Sequence, residues 1–305
     1  MSEAAEDETR STPVPSNGSP TVRRRRLGAV LREWRQRSDV SVETVAEAFD
    51  VTPSTIYRME LGRVGVKSRD IDLFVKLYGI EDEDLVKELT SLAKQGNKRG
   101  WWAKFSDTMS PPYATYVGLE ADAANLYIYD GLIVNGLLQT RAYAEATFDF
   151  AKGKAKQHKE RRIDLRMERQ DRLSQKKDLH IWNVIDEAAI RRVVGGKDVM
   201  RAQLDHLLTL AQLPNVTLQV LPFAGGAYPG MLSSFTLMEF GDVDDEDPDY
   251  RHPNVVYIEG HTADVYEEEE VEPFRNVFEH LRAAALSPML SVEMIRKVAD
   301  DELGQ

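Results

Sequence analysis

The sequence predicts a multi-domain chain, with an all-α part of five short helices followed by a larger part of mixed α+β class. Three observations predict this. Apolar residues recur at helical spacing in short runs between Leu27 and Leu92. Beyond Trp101, helical runs mix with short β-branched stretches such as Val216–Leu221, VTLQVL. Charge divides at the same place: Val22–Arg69 holds 11 basic and 6 acidic residues, whereas Trp101 onward holds 22 basic and 34 acidic. A small basic reader on an acidic body is a pattern expected of a nucleic-acid-binding protein, despite the net charge of −12 over 305 residues.

Composition narrows the remaining classes. Cysteine is absent, which excludes disulfides, thiolate metal sites and cysteine nucleophiles. Hydrophobic residues make up 42% of the chain, enough for sizeable cores. The N-terminus lacks the apolar stretch of a signal peptide, and no window approaches the ~20 apolar residues of a membrane span. The expectation is a cytoplasmic protein with no membrane association.

Residues 1–21 are rich in Ser, Pro, Thr and Glu and are expected to be a disordered tail. The run Arg23-Arg24-Arg25-Arg26 follows, as either a flexible phosphate-binding arm or a solvated helix start. Leu27, Val30, Leu31 and Trp34 form the stripe of a first helix. Ser41 is placed to cap a second, with Val42, Val45, Ala46 and Phe49 inward. Asp50-Val51 makes a turn. Thr52 caps a third helix that opens on Pro53, where a missing N–H costs nothing. Ile56 and Met59 point inward, and Gly62 suits a left-handed terminus. Ser68 can cap a fourth helix to Tyr78, and a fifth runs from about Asp82 to Lys94. The short turn between helices two and three, followed by a net-basic helix with a polar start, predicts a helix-turn-helix over residues 22–95. Residues 96–100 read as a linker.

The α+β part, residues 101–305, is expected to contain helices at Thr140–Phe150, His158–Ser174, Lys197–Gln212, Val271–Leu286 and Val292–Leu303. Strands are expected at Leu179–Ile185, Val216–Leu221, Ser233–Phe240, Val255–Glu259 and Ala263–Tyr266. The acidic stretch Gly241–Pro253 reads as a mobile loop.

Leu27–Arg63 resembles the XRE-type helix-turn-helix of the phage repressors, with SVETVAEAFDVTPSTIYRMELGR at Ser41–Arg63 matching its two-helix unit. The resemblance implies a structural ion pair between Arg35 and Glu60 and a capping role for Thr52. Val42, Pro53 and Leu61 stand where that family commonly has Gln, a polar or basic residue, and Asn. The remainder resembles the C-terminal domain of a bacterial antitoxin-like regulator family. The matching stretches include RGWW at Arg99–Trp102, YVGLEADA at Tyr116–Ala123, GLLQTRAYA at Gly136–Ala144 and IWNVIDEAAIRR at Ile181–Arg192. That resemblance implies a small partner protein encoded alongside.

Together these readings predict a sequence-specific DNA-binding transcriptional regulator. Pro53, Ser54, Thr55, Tyr57 and Arg58 are the candidate base contacts, with Arg58 the best reader because guanidinium pairs bidentately with guanine. Tyr57 has the alternative of packing under the turn. Arg26, Ser41, Thr52, Arg63, Lys67 and Arg69 are candidate phosphate contacts, which set affinity rather than sequence. A homodimer paired through the C-terminal domain is expected, since such modules commonly read two half-sites. That domain either docks the partner or senses a small molecule. An enzyme is not expected: there is no HExxH, P-loop, GxSxG or GxGxxG, and no cofactor or metal is implied. Asp186-Glu187 reads as a helix cap, Gly225–Gly230 as a tight loop, His206 as a surface residue, and Trp101-Trp102 as a seal against the helix-turn-helix.

Overall fold

The computed structural model describes residues 19–149, 158–175, 178–241, 253–258, 265–267 and 271–303. Most of the expected tail and most of the acidic 241–253 loop lie outside the described residues.

The first helix, α1, spans Pro20–Arg37, so it begins before the expected start at Leu27 and takes in the arginine run. Ser19 caps it, its hydroxyl accepting from the Val22 N–H, and Pro20 occupies the first helical position. Ser19, Pro20 and Thr21 are therefore not part of a disordered tail. The arginines are not a flexible arm either, and Arg25 and Arg26 are buried. The Arg25 stem lies against Gly62, and Arg26 is held by Glu88.

Helix α1 enters two cores. Near its start, Val22 joins Trp102, Tyr116 and Val117. Two turns later, Leu27 and Leu31 join Val45, Ile56, Phe74 and Leu89. The helices α2 (Val42–Ala48), α3 (Pro53–Glu60), α4 (Ile71–Tyr78) and α5 (Glu83–Gly96) close the second of these cores. Ser68 does not cap α4 directly, because a 3₁₀ turn over Ser68–Asp70 comes first. Asp82 caps α5, accepting from Asp84 N and Leu85 N at 2.9 and 3.2 Å.

A 3₁₀ turn at Trp101–Phe105 leads to α6 (Pro111–Glu120) and then to strand β1 (Asn125–Asp130). The sequence reading placed no element between Trp101 and Thr140. After α7 (Arg141–Phe148) and α8 (Lys159–Gln175) come β2 (His180–Asp186), α9 (Glu187–Arg191), α10 (Lys197–Leu210), β3 (Val216–Leu221) and β4 (Phe235–Glu239). The chain ends with β5 (Val255–Ile258), β6 (Val265–Glu267), α11 (Val271–Ala284) and α12 (Pro288–Leu303).

The strands form one mixed sheet in the order β3-β2-β1-β4-β5-β6. The pairs β1/β2 and β2/β3 are parallel, with helices in the crossovers, while β4, β5 and β6 pair antiparallel. The overlooked β1 is thus an interior strand at the change from parallel to antiparallel. Its residues pack on both faces: Leu126 and Ile128 on one, Tyr127 and Tyr129 on the other. An apolar stretch covered on both sides has no polar alternation to read. Helices α10 and α12 supply Met200, Leu204, Ile295 and Val298 to the first face, and α11 supplies Phe278 and Leu281 to the second.

At the end of β1, Asp130 is buried and accepts from Asn135 N (2.8 Å) and Asn183 Nδ2 (3.0 Å). These two bonds do not offset the loss of water, and burial pushes its carboxyl up from 3.8 to about 7. Between those values the folded protein holds a proton that the unfolded chain has released, so stability falls as pH rises from about 4 to about 7. Asp130→Asn keeps an acceptor for both donors and removes the charge. It should melt a few degrees above the parent at pH 8 and nearly level with it at pH 5, measured by circular dichroism.

Candidate nucleic-acid interface

The two-helix unit is held by local chemistry that its residues prescribe. Ser41 caps α2 by accepting from Thr44 N at 3.0 Å, and Val42, Val45 and Ala46 are buried. The turn is set by Asp50, whose φ of 52° is tolerable for Asp, and by Val51 N bonding Ala46 O at 2.9 Å. Phe49 anchors it from below, with its ring 4.3 Å from that of Phe74. Thr52 stands at the N-cap of α3, but its hydroxyl meets that of Thr55 at 3.0 Å and caps no backbone N–H. In that respect its expected capping role is corrected. The far end of α3 turns on Gly62 (φ 63°), where a Cβ would lie 2.6 Å from Arg25 Cα.

Helix α3 is fixed from behind by two contacts with α1. Arg35 grips Glu60 with both donors, Nε to Oε1 at 2.6 Å and Nη2 to Oε2 at 3.0 Å, and also reaches Val40 O. The Glu60 side chain is 3% exposed, and its bond holds the Arg35 guanidinium above its usual range. Gly28 is the second contact, unforeseen in the sequence: a Cβ there would sit 2.4 Å from Glu60 O and 2.5 Å from Met59 O. The two helices meet backbone to backbone, which only glycine allows. A glycine inside a helical run was the available signal.

With Ile56 and Glu60 turned inward, α3 presents Pro53, Ser54, Tyr57 and Arg58 to solvent, and Thr55 is partly covered. Tyr57 is 51% exposed, so it does not pack under the turn. Ser41, Thr52, Arg63, Lys67 and Arg69 are exposed as well. Arg69 makes a long contact to Asp70, at 3.5 Å. Arg26 is not on this surface. It is buried against α5, its Nη2 donating to Glu88 Oε1 at 2.6 Å, so its expected phosphate role is corrected. The acidic Glu43 and Glu47 lie exposed on α2, which puts the positive charge on α3 and the segment after it.

In the C-terminal part, Asp186 caps α9 by accepting from Ala188 N at 2.8 Å. Glu187 takes Arg191 Nε and Phe223 N. Both carboxylates are spent on structure. His206, read as a surface residue, is half-buried, and burial pushes its imidazole pKa down. Trp101 and Trp102 meet edge to face, and a cavity of about 410 Å³ opens beside them, lined also by Ser19, Pro20, Asp122 and Arg172. Among the described residues no three His, Asp or Glu side chains gather as a metal site, and no helix is long and apolar enough to cross a membrane.

Residues 26–89, from α1 to α5, match a family model described as a helix-turn-helix domain. Residues 113–297 match the model described as Domain of unknown function (DUF5753). No curated protein and no solved structure matches the chain.

Removing Glu60 leaves a nearly buried guanidinium without its carboxylate, at a cost of about 3–5 kcal/mol. Glu60→Ala should therefore lower the thermal midpoint of the helix-turn-helix sharply, read by calorimetry. Gly28→Ala should do likewise by pushing α1 and α3 apart.

Proposed function

The chain belongs to the DUF5753 family and carries a helix-turn-helix domain, and on that footing we propose that it is a sequence-specific transcriptional regulator of the XRE type. The observation that carries this reading is the outward face of α3, held by Arg35–Glu60 and by Gly28 while its first turn and Arg58 stay exposed. A recognition helix enters the major groove by its N-terminal residues. Ser54, Thr55, Tyr57 and Arg58 then meet base edges, with Pro53 against a thymine methyl. Ser41, Thr52, Arg63, Lys67 and Arg69 flank them against phosphates. With Arg26 withdrawn, the charged phosphate contacts fall to Arg63, Lys67 and Arg69 after α3 rather than to Arg26.

The protein works as a homodimer on paired half-sites, and its C-terminal domain pairs the copies and docks a small regulatory protein, in the manner of antitoxin-like regulators. A second reading, a small-molecule-responsive regulator, draws on the cavity beside Trp101, because Ser19 and Pro20 at the start of α1 form part of its wall. A ligand there would act directly on the helix that carries the DNA-reading unit.

DNA recovered with the protein from cells supplies the operator. Against it, Arg58→Ala should cost about 1–3 kcal/mol and relax preference at one base pair. Arg63→Ala and Lys67→Ala should each weaken binding to all sequences alike and reduce the salt slope by about 1. Fluorescence anisotropy over a salt series reads both effects. An absence of salt-dependent DNA binding would leave a protein-binding helical module as the better description.

A further inference from the structure

Arg24, in the arginine run at the start of α1, is half-buried, and among the described residues its guanidinium meets no carboxylate. Its Nη2 reaches the Thr21 hydroxyl at 3.5 Å, and its Nε is buried without a partner. Burial pushes its pKa down, with no opposite charge to offset the loss of water. Other buried arginines are compensated: Arg26 by Glu88, Arg35 by Glu60 and Arg169 by Glu120. At the tip of α1, Asp122 takes the Ser19 N–H and faces Arg23. A partly desolvated cation without a counter-charge costs stability, and an anion from outside gains most by meeting it.

Two glycines seat the Arg24 stem. A Cβ on Gly96 would lie 2.8 Å from Arg24 Cγ, and one on Gly65 would lie 3.5 Å from its Cδ. Each glycine belongs to a basic segment without an acidic residue: residues 63–67 hold Arg63 and Lys67, and residues 94–99 hold Lys94, Lys98 and Arg99. All five cations are exposed, and none makes an ion pair among the described residues. The Asn97 side chain joins the two segments, donating to Val66 O at 2.6 Å. Arg24 thus lies between two tied stretches of uncompensated positive charge, in a chain whose net charge is −12. One of these stretches already carries Arg63 and Lys67 of the phosphate-contacting set, and the surface continues from them onto the end of α5. A duplex presents its phosphates in a row and can satisfy several separate cations at once, which a single small anion cannot. We propose that Arg24, Lys94, Lys98 and Arg99 form a second strip of phosphate contacts, which holds the DNA backbone passing Arg63 and Lys67 against the end of α5. The proposal rests on the DNA-binding reading and extends its footprint.

The test measures binding of the full chain to the recovered operator and to a mixed-sequence duplex, by fluorescence anisotropy over a salt series, with thermal midpoints from calorimetry. The triple variant Lys94→Gln, Lys98→Gln, Arg99→Gln changes exposed positions alone. It should weaken binding to both duplexes alike and lower the salt slope by about 2–3. Arg24→Met should lower the slope by about 1 and leave the thermal midpoint level or raised, because it removes a cation that the fold does not neutralise. Arg24→Lys should keep the slope. Lys297→Gln, exposed on α12 in the sheet domain, removes the same unit of charge and should bind as the parent does. A parent without salt-dependent binding would overturn the DNA reading and the strip with it. A parent that binds, and loses slope on Arg63→Ala but not in the triple variant or Arg24→Met, would overturn the strip and leave the DNA reading standing. Equal loss on Lys297→Gln would trace the effect to net charge and overturn the strip as well. A lower midpoint with an unchanged slope for Arg24→Met would make that arginine structural and remove it from the interface.

Discussion

One helix is common to both cores, and the rest of the structure depends on it. The 18 residues of α1 place Thr21 and Val22 against α6 and the sheet domain, and Leu27 and Leu31 inside the helix-turn-helix. Ser19 adds two anchors at its tip, donating its hydroxyl to Gly118 O at 2.8 Å and its N–H to Asp122. Gly118 leaves room for Thr21, since a Cβ there would lie 2.2 Å from its hydroxyl. Burying leucines such as Leu27 and Leu31 stabilises by roughly 1.5–3 kcal/mol each, so the helix-turn-helix holds the helix firmly. The two parts are joined through a stiff rod as well as through the chain that follows α5.

The same rod sets the outward face of α3. Helix α3 is only eight residues long, and helices of that length are marginal alone. It gains a fixed orientation from α1, by the bidentate Arg35–Glu60 pair at its buried face and by close backbone approach at Gly28. Solvent exclusion makes the pair strict: with Glu60 3% exposed, losing either partner strands a charge. The outward residues carry no such constraint, and Ser54, Tyr57 and Arg58 remain exposed to solvent. One continuous helix therefore links the seam with the sheet domain to the helix that backs α3.

Buried polar groups in the sheet domain follow a different logic. Glu120 and Arg169, each 4% exposed, form a second bidentate pair that ties α6 to α8, with Tyr113 accepting a further bond. Gln203 reaches from α10 to Leu138 O and Thr140 N, holding the loop ahead of α7. These bonds position irregular segments that the sheet itself cannot hold. Their cost is desolvation, and at Asp130 burial pushes the carboxyl pKa up despite its hydrogen bonds.

Local chemistry was enough to determine the elements whose signals lie within a few residues of each other. Ser41 with its cap, the turn at Asp50, Pro53 opening a helix and Gly62 closing it are all short-range matters, and so is the outward placement of Arg58. Strands β2, β3 and β4 were legible because β-branched runs bounded by turn residues need no partner to be recognised. Other features required the folded chain. Arg26 became a buried partner of Glu88, 62 positions away, because α5 closes over it. The helical start at Pro20 is held by α6, about a hundred residues further on. Strand β1 carries no alternation because helices cover it from both sides. In each case the deciding contact spans a distance in sequence over which spacing rules carry no information, and only packing settles which charge is buried and which remains at the surface.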